Sequence, residues 1–175
     1  MELRADARIP FPRETVFAAY RDDITKLLPY LPNVRSIEVT SREDRGAVVE
    51  MVNEWRGGGD VPAAIRAVLS ESVLAWTDYA TWNADDLSCT WRTVTHAFAD
   101  AMKCAGRNVF RDDGPGKTVL EIRGSLEIDA KKIRGVPGFL AGKIGGAIEE
   151  FLVTKIQANL VETAKGLTRY LEERK

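Results

Sequence analysis

His96 is the only histidine in the chain, so any histidine-based proton transfer would depend on it. A general base must lie within hydrogen-bonding reach of the group it deprotonates, and a partner usually orients it. His96 follows a predicted strand and precedes Ala97-Phe98-Ala99-Asp100, a loop-like stretch. We therefore expect His96 at the surface or at a strand end, outside any catalytic site.

The two cysteines, Cys89 and Cys104, are too few for a disulfide framework. Neither belongs to a Cys-x-x-Cys pair, and no histidine accompanies them, so a zinc site is not indicated. They fall on consecutive predicted strands and could face one cavity if those strands pair. We expect both to be small buried apolar residues, and we expect no metal.

Phosphate and acid–base chemistry have weak candidates. Residues 114–118, Gly-Pro-Gly-Lys-Thr, resemble the end of a phosphate-binding loop, but Arg111 replaces the first glycine of that motif. The stretch also joins two predicted strands, which indicates a hairpin turn. A catalytic function would need a general acid or base inside a cavity, where few ionisable residues are expected, and Asp78 and Arg107 are the only candidates.

The four tryptophans fall on predicted strands, on faces that also carry apolar residues. A buried indole N–H normally needs a hydrogen-bond partner, and polar side chains alternate onto the same faces. Apolar walls with a few polar groups are typical of a ligand cavity, although a packed core is the alternative. The predicted ligand-binding residues are Asn53, Trp55, Trp76, Asp78, Trp82, Cys89, Trp91, Thr93, Asn108, Ile148 and Leu152.

Period-two alternation predicts the strands that position these residues. Leu3, Ala5, Ala7 and Ile9 alternate with charged residues in the first strand. Two short helices should follow, one starting near Pro12 and the other ending at Pro29. The remaining predicted strands cover 34–41, 47–55, 76–82, 87–95, 102–110 and 120–128, and a further helix is predicted over 62–69.

The last part of the chain predicts a long helix. Leu140, Ile144, Ile148, Leu152, Ile156 and Leu160 recur every four residues. We expect the last four to be buried against the sheet, while Glu149, Lys155 and Glu162 should be exposed. Four residues rotate an ideal helix by about 400°, so the stripe drifts and suits a helix that crosses a twisted sheet.

Length and charge restrict the class of protein. The 175 residues fit one domain spanning 1–175, and the net charge of −1 argues against nucleic-acid binding. No apolar run of about 18 residues predicts a membrane span, and the first residues do not form a signal peptide. We expect a cytoplasmic protein without a cofactor.

The segment Leu28-Pro-Tyr-Leu-Pro-Asn-Val-Arg-Ser-Ile-Glu-Val39 resembles the junction between second helix and strand in the START and polyketide-cyclase superfamily (SRPBCC). Pro62-Ala63, the strand from Trp76 to Trp82 and the glycines between 142 and 146 are similar to a bacterial branch of that superfamily. The resemblance implies an α+β helix-grip fold, the fold of the birch-pollen allergen. In it a seven-stranded antiparallel sheet wraps around a long C-terminal helix, and two short helices follow the first strand.

The same resemblance implies an apolar cavity between the sheet and the last helix, but no particular reaction. We expect residues 57–60 and 142–146, both glycine-rich, to border the cavity mouth. The first functional hypothesis is a carrier or sensor of a small hydrophobic ligand of lipid, polyketide, isoprenoid or quinone type. A polyketide cyclase or aromatase and a protein-interaction module are the alternatives, and ligand identity and oligomeric state are left open.

Overall fold

The computed structural model describes residues 1–60, 63 and 71–174. Seven strands form one antiparallel sheet in the order β1-β7-β6-β5-β4-β3-β2. The helix predicted over 62–69 lies outside the described residues except for Ala63. The strands are β1 (Glu2–Ile9), β2 (Val34–Arg45), β3 (Val48–Gly57), β4 (Ala75–Asn83), β5 (Ser88–Thr95), β6 (Met102–Asp112) and β7 (Thr118–Ile128).

Strand β1 buries the face that its alternation predicts. In β1, Leu3 and Ile9 are fully buried, whereas Glu2 and Arg4 are exposed. Side chains alternate between the two faces of a strand, so one face of the sheet builds the core. The helix-grip fold predicted from the sequence is confirmed by this sheet together with the long C-terminal helix described below.

The β2–β3 hairpin differs from the sequence prediction. The sequence predicted strands over 34–41 and 47–55, which leaves residues 42–46 as the connection between them. Instead β2 continues to Arg45, which pairs with Val48, and Gly46 makes the turn with a φ of +65°. Residues 40–45 are all polar or charged, so they lack the apolar alternation by which a strand is predicted. The end of β2 was therefore not predicted.

Two short helical segments follow β1, as predicted. Helix α1 spans Arg13–Asp22 and begins directly after Pro12. A 3-10 helix spans Ile24–Tyr30 and contains Pro29, so it extends one residue beyond the predicted end. Val16, Phe17 and Leu27 of these segments are buried in the core.

Helix α2 spans Ala141–Glu172 and packs against β1, β7 and the 3-10 helix. Ile148 and Leu152 are buried as predicted, but Ile156 and Leu160 are only half-buried. Glu149 and Glu162 are also half-buried, whereas they were expected at the surface. Among the described residues, no helix is both long enough and apolar enough to cross a membrane.

The core consists of two apolar clusters. One gathers around Phe17, Phe110 and Leu167, and the other gathers around Leu126 and Ile148. Trp91 packs against both clusters, which places its side chain where they meet.

Candidate functional site

A cavity of about 170 Å³ lies between the inner face of the sheet and helix α2. Its wall includes members of both core clusters, among them Trp82 and Cys89 of the first and Met102 and Leu152 of the second. The cavity therefore lies at the boundary between the two clusters. An apolar cavity of comparable size, about 150 Å³, can hold benzene, so this space suits a small ligand.

The sheet wall is built from cross-strand rows. Asn53, Asp78 and Thr93 are directly opposite one another on β3, β4 and β5, and Cys104 continues the row on β6. One row away, Trp55 pairs with Trp76, which pairs with Thr95. On the other side, Met51, Ala80 and Trp91 form the next row. The polar row of Asp78 thus runs between two rows that carry tryptophan.

Trp91 is fixed by glycines and by one hydrogen bond. It lies opposite Gly106, which pairs with Gly124 on β7. A Cβ atom at Gly106 would lie 2.4 Å from Cζ2 of Trp91, and one at Gly124 would lie 2.9 Å from Cη2. The two glycines leave the space that the indole occupies. Its Nε1 donates to Oδ1 of Asn108 at 2.8 Å.

Trp55 and Trp76 stack on each other at one end of the cavity. Their ring centroids are 5.8 Å apart and their planes differ by 11°. Gly57 ends β3 beside them, and a Cβ atom there would meet Cζ3 of Trp76 at 3.2 Å. Gly57 and Gly58 both line the cavity, as expected for the first glycine-rich segment.

The second glycine-rich segment does not border the cavity, which corrects the sequence expectation. Among the described lining residues, none comes from 142–146. Gly145 instead faces Ala130, where an added Cβ atom would lie 2.9 Å from the alanine Cβ. Gly145 therefore allows α2 to approach the segment after β7 closely.

Asp78 places a carboxyl group in the cavity wall. Nδ2 of Asn53 donates to Oδ2 of Asp78 at 3.3 Å. Burial of the carboxylate away from water raises the pKa of Asp78 to about 6, and the hydrogen bond from Asn53 only partly opposes this. Asp78 is therefore mostly ionised at pH 7 but takes up a proton in mildly acidic solution.

The two cysteines of the sheet wall and Tyr20 are neutral. Burial raises the pKa of Cys104 to about 11, and burial also raises the pKa of Cys89 well above its usual value. Burial likewise raises the pKa of Tyr20, whose side chain reaches the cavity from α1. Both cysteines are free and buried, as predicted.

Three buried polar atoms of the cavity wall lack a hydrogen-bond partner in the structure: Oδ1 of Asn53, Nε1 of Trp55 and Nε1 of Trp82. Leaving such a group unsatisfied costs about 1–3 kcal/mol. All three belong to residues that the sequence singled out as ligand-binding candidates. Two donors and one acceptor, all on residues that line the cavity, thus have no partner within the described part of the protein.

Helix α2 supplies the opposite wall through one stripe, which consists of Leu152, Lys155, Ile156, Asn159, Leu160 and Thr163. The prediction that Lys155 is exposed was wrong. Its Nζ lies 5.8 Å from the centre of the Phe151 ring and would lie 3.1 Å from a Cβ atom at Gly59. No local pattern indicated this position, because a lysine next to an apolar stripe normally extends into solvent.

Arg21 is the second cationic side chain at the cavity. It forms a double hydrogen bond with Asp22 and lies 5.3 Å from the centre of the Phe17 ring, so its charge is already compensated. Of these two cavity cations, Lys155 is the one for which the described residues provide no ion pair.

Ten of the eleven predicted ligand-binding residues line this cavity. The exception is Ile148, which is fully buried in the cluster around Leu126. Arg107, the second candidate for acid–base chemistry, is exposed and pairs with Asp86 at 2.6 Å, so its assignment to the inner face was wrong. It follows Gly106 on the strand and therefore points to the outer face.

His96 lies at the surface, as expected. Its Nε2 is 3.0 Å from Oε2 of Glu54 and 3.0 Å from Oγ1 of Thr77, on the outer face of the sheet. Among the described residues, no group of three or more histidine, cysteine or acidic side chains could hold a metal ion.

No protein-family model and no curated protein sequence matches the chain. Solved structures do match it over nearly its whole length. TTHA0849 from Thermus thermophilus is 24% identical, with 97% of this chain and 95% of that chain covered and a TM-score of 0.67. The Zhui aromatase/cyclase from a Streptomyces species is 14% identical, with coverage of 99% and 94% and a TM-score of 0.71.

Norcoclaurine synthase from Thalictrum flavum, in complex with dopamine and hydroxybenzaldehyde, is 11% identical, with coverage of 100% and 88% and a TM-score of 0.66. These structures are members of the START and polyketide-cyclase superfamily, and they share its helix-grip fold with this chain. The resemblance seen in the sequence is confirmed at the level of the fold.

Proposed function

We propose that this protein binds a small, largely apolar ligand in the cavity between the sheet and helix α2, as a carrier or sensor. The observation that carries the proposal is the set of unsatisfied polar atoms of Asn53, Trp55 and Trp82 on residues of a predominantly apolar wall. A packed core would have filled the space or paired these atoms.

The side chains of the cavity wall indicate which kind of ligand would fit. Four indoles and the apolar side chains of α2 favour a planar ring system, because aromatic rings stack favourably on indole faces. The free N–H groups of Trp55 and Trp82 require an acceptor on the ligand, such as a carbonyl or hydroxyl oxygen. A ring with one or two polar substituents meets both requirements within about 170 Å³.

The solved structures of similar fold support this proposal, since one of them is an aromatase/cyclase and another holds two small aromatic molecules. A cyclase-type enzyme is the second candidate, because Asp78 offers a carboxyl whose pKa of about 6 suits proton transfer. Turnover of a polyketide mimic that disappears in Asp78→Asn, while ligand binding persists, would favour the enzyme.

The test compares p-cresol with p-xylene, which has the same shape without the hydroxyl. Isothermal titration calorimetry and tryptophan fluorescence should show one binding site, with p-cresol binding more tightly because its hydroxyl satisfies a free polar atom. Amide NMR shifts should concentrate on β3, β4, β5 and α2.

A cavity-filling variant makes the test specific. Ala80 is buried in the sheet wall between Met51 and Trp91, so Ala80→Met should fill the space and abolish binding. Ala84→Met places the same side chain in the exposed β4–β5 turn and is the matched control. If the native protein binds neither compound at millimolar concentration, or if Ala80→Met binds both normally, the proposal is wrong.

A further inference from the structure

The carboxylate of Asp78 has no charge partner. Among the described residues, no lysine or arginine forms an ion pair with it, and its hydrogen bond comes from the neutral amide of Asn53. A buried ionised group is costly unless a counter-charge or several hydrogen bonds compensate it. Asp78 nevertheless lines the cavity, where a ligand could supply the missing charge.

Asn53 adds a second acceptor beside the carboxylate. It lies directly opposite Asp78 and is buried. Its Nδ2 donates to Asp78, and its Oδ1 has no hydrogen-bond partner in the structure. Two neighbouring oxygen acceptors call for a group with at least two N–H or O–H donors. A protonated primary amine has three donors and also carries the missing positive charge.

Three indoles surround this pair of acceptors. Trp76 is two residues from Asp78 on the same strand and face, about 7 Å away. Trp55 and Trp91 occupy the diagonal positions on β3 and β5, about 7–8 Å away. Indole faces attract cations within about 6 Å of the ring centre, and aromatic side chains around a carboxylate favour organic ammonium ions.

We infer that the ligand of this cavity is an amine, bound as its ammonium ion by Asp78 and Asn53 between the indoles of Trp55, Trp76 and Trp91. This inference rests on the proposed function and names its ligand class. The hydrogen-bonding requirement favours a primary or secondary amine over a quaternary one, which has no N–H group for Oδ1 of Asn53. The remaining apolar wall, from Leu152 to Leu160 on α2, would cover the ring or alkyl body.

Acidification should weaken such binding. The groups that face Asp78 are Tyr20 from α1, Cys89 from β5 and Cys104 from β6, and burial keeps all three neutral. Arg21 and Lys155 bring positive charge to the cavity and do not pair with Asp78. Protonation of Asp78 would therefore remove the negative charge from this part of the wall, and the ammonium ion would lose its partner.

The test uses 2-phenylethylamine, the neutral 2-phenylethanol and the anionic 3-phenylpropanoate, which share one ring and one two-carbon spacer. Isothermal titration calorimetry at pH 7.5 should give the amine at least tenfold tighter binding than the alcohol, and the anion should bind more weakly than either. Between pH 7.5 and pH 5 the preference for the amine over the alcohol should fall at least fivefold.

Asp78→Asn keeps the size of the side chain and removes the charge. It should reduce affinity for the amine at least ten times more than affinity for the alcohol. Asp85→Asn, the same change on the exposed hairpin between β4 and β5, should alter neither. Thermal unfolding of each variant confirms that it is folded.

The outcomes separate this inference from the proposed function. If the alcohol binds but the amine binds no more tightly, or if Asp78→Asn weakens both equally, the amine assignment is wrong and the apolar-ligand proposal stands. If none of the three compounds binds to the native protein at millimolar concentration, both are overturned.

Discussion

The six-membered ring of Trp91 occupies the space that a side chain on Gly106 would need. The two residues are directly opposite each other on β5 and β6, and the Cβ atom of any other residue at 106 would lie 2.4 Å from Cζ2 of the indole. Glycine at this position therefore decides where Trp91 lies, and Trp91 in turn forms part of the cavity wall.

We predict that Gly106→Ala destabilises the protein by about 1–3 kcal/mol, the usual cost of overpacking a core. The new methyl group would also lie 2.4 Å from the backbone oxygen of Arg123, which cannot move away without disturbing β7. Urea unfolding measures the loss, and a shift in tryptophan emission would report the displaced indole. Gly146→Ala is the control, since no atom lies within 4 Å of its Cβ position on α2, and it should stabilise the helix.

A second prediction compares the same chemical change at two tryptophans. Trp91→Phe leaves Oδ1 of the buried Asn108 without its donor, whereas Trp55→Phe removes an N–H that has no partner. An orphaned buried acceptor costs about 1–3 kcal/mol, so Trp91→Phe should be the more destabilising by roughly that amount. Equal losses in chemical denaturation would show that the Trp91–Asn108 hydrogen bond contributes nothing.

Much of this site could be predicted from the sequence because strand alternation assigns each residue to a face. Asn53, Trp55, Asp78 and Trp91 all reach the cavity for this reason. Arg107 was misplaced because it was considered for its charge, although its neighbours Gly106 and Asn108 fix its face by alternation. The alternation was the better guide.

Other features depend on tertiary structure that no local pattern contains. Lys155 enters the wall because the chain around Gly59 passes beside α2, a contact between distant parts of the sequence. Tyr20 and Arg21 reach the cavity because α1 crosses its end, which depends on how the two short helical segments pack. Ile148 follows the same helical stripe as Leu152, yet it packs one turn beyond the cavity, in the cluster around Leu126.

Asp78 should make the stability of the ligand-free protein depend on pH. Burial raises the pKa of Asp78 from its ordinary value of 3.8 to about 6 in the fold, so the folded state binds the proton more tightly. The free energy of unfolding is therefore highest, as far as Asp78 is concerned, below pH 4. It falls by up to about 3 kcal/mol as the pH rises towards and through 6 and the buried carboxyl ionises.

Asp78→Asn removes this titration. Its free energy of unfolding should match that of the native protein near pH 4 and exceed it by about 1–3 kcal/mol above pH 7. Urea titrations at several pH values, with Asp85→Asn as a reference, measure the difference. A native protein that is more stable than Asp78→Asn at pH 7.5, without ligand, would mean that the ionised carboxylate has a partner that compensates its burial.

The last prediction separates the packed part of α2 from the part that faces the cavity. Ile148 is fully buried and surrounded by other side chains, whereas Ile156 is half-buried and lines the cavity. Ile148→Ala should therefore cost about 2–5 kcal/mol of stability, and Ile156→Ala should cost less, because its side chain already lacks neighbours on one side.

Ile156→Ala should also enlarge the cavity and accept a bulkier ring such as naphthalene, while Ile148→Ala should not. Chemical denaturation and calorimetric titration of both variants measure the two effects. Equal losses of stability together with unchanged ligand size would show that the stripe on α2 packs uniformly against the sheet and that no ligand space adjoins Ile156.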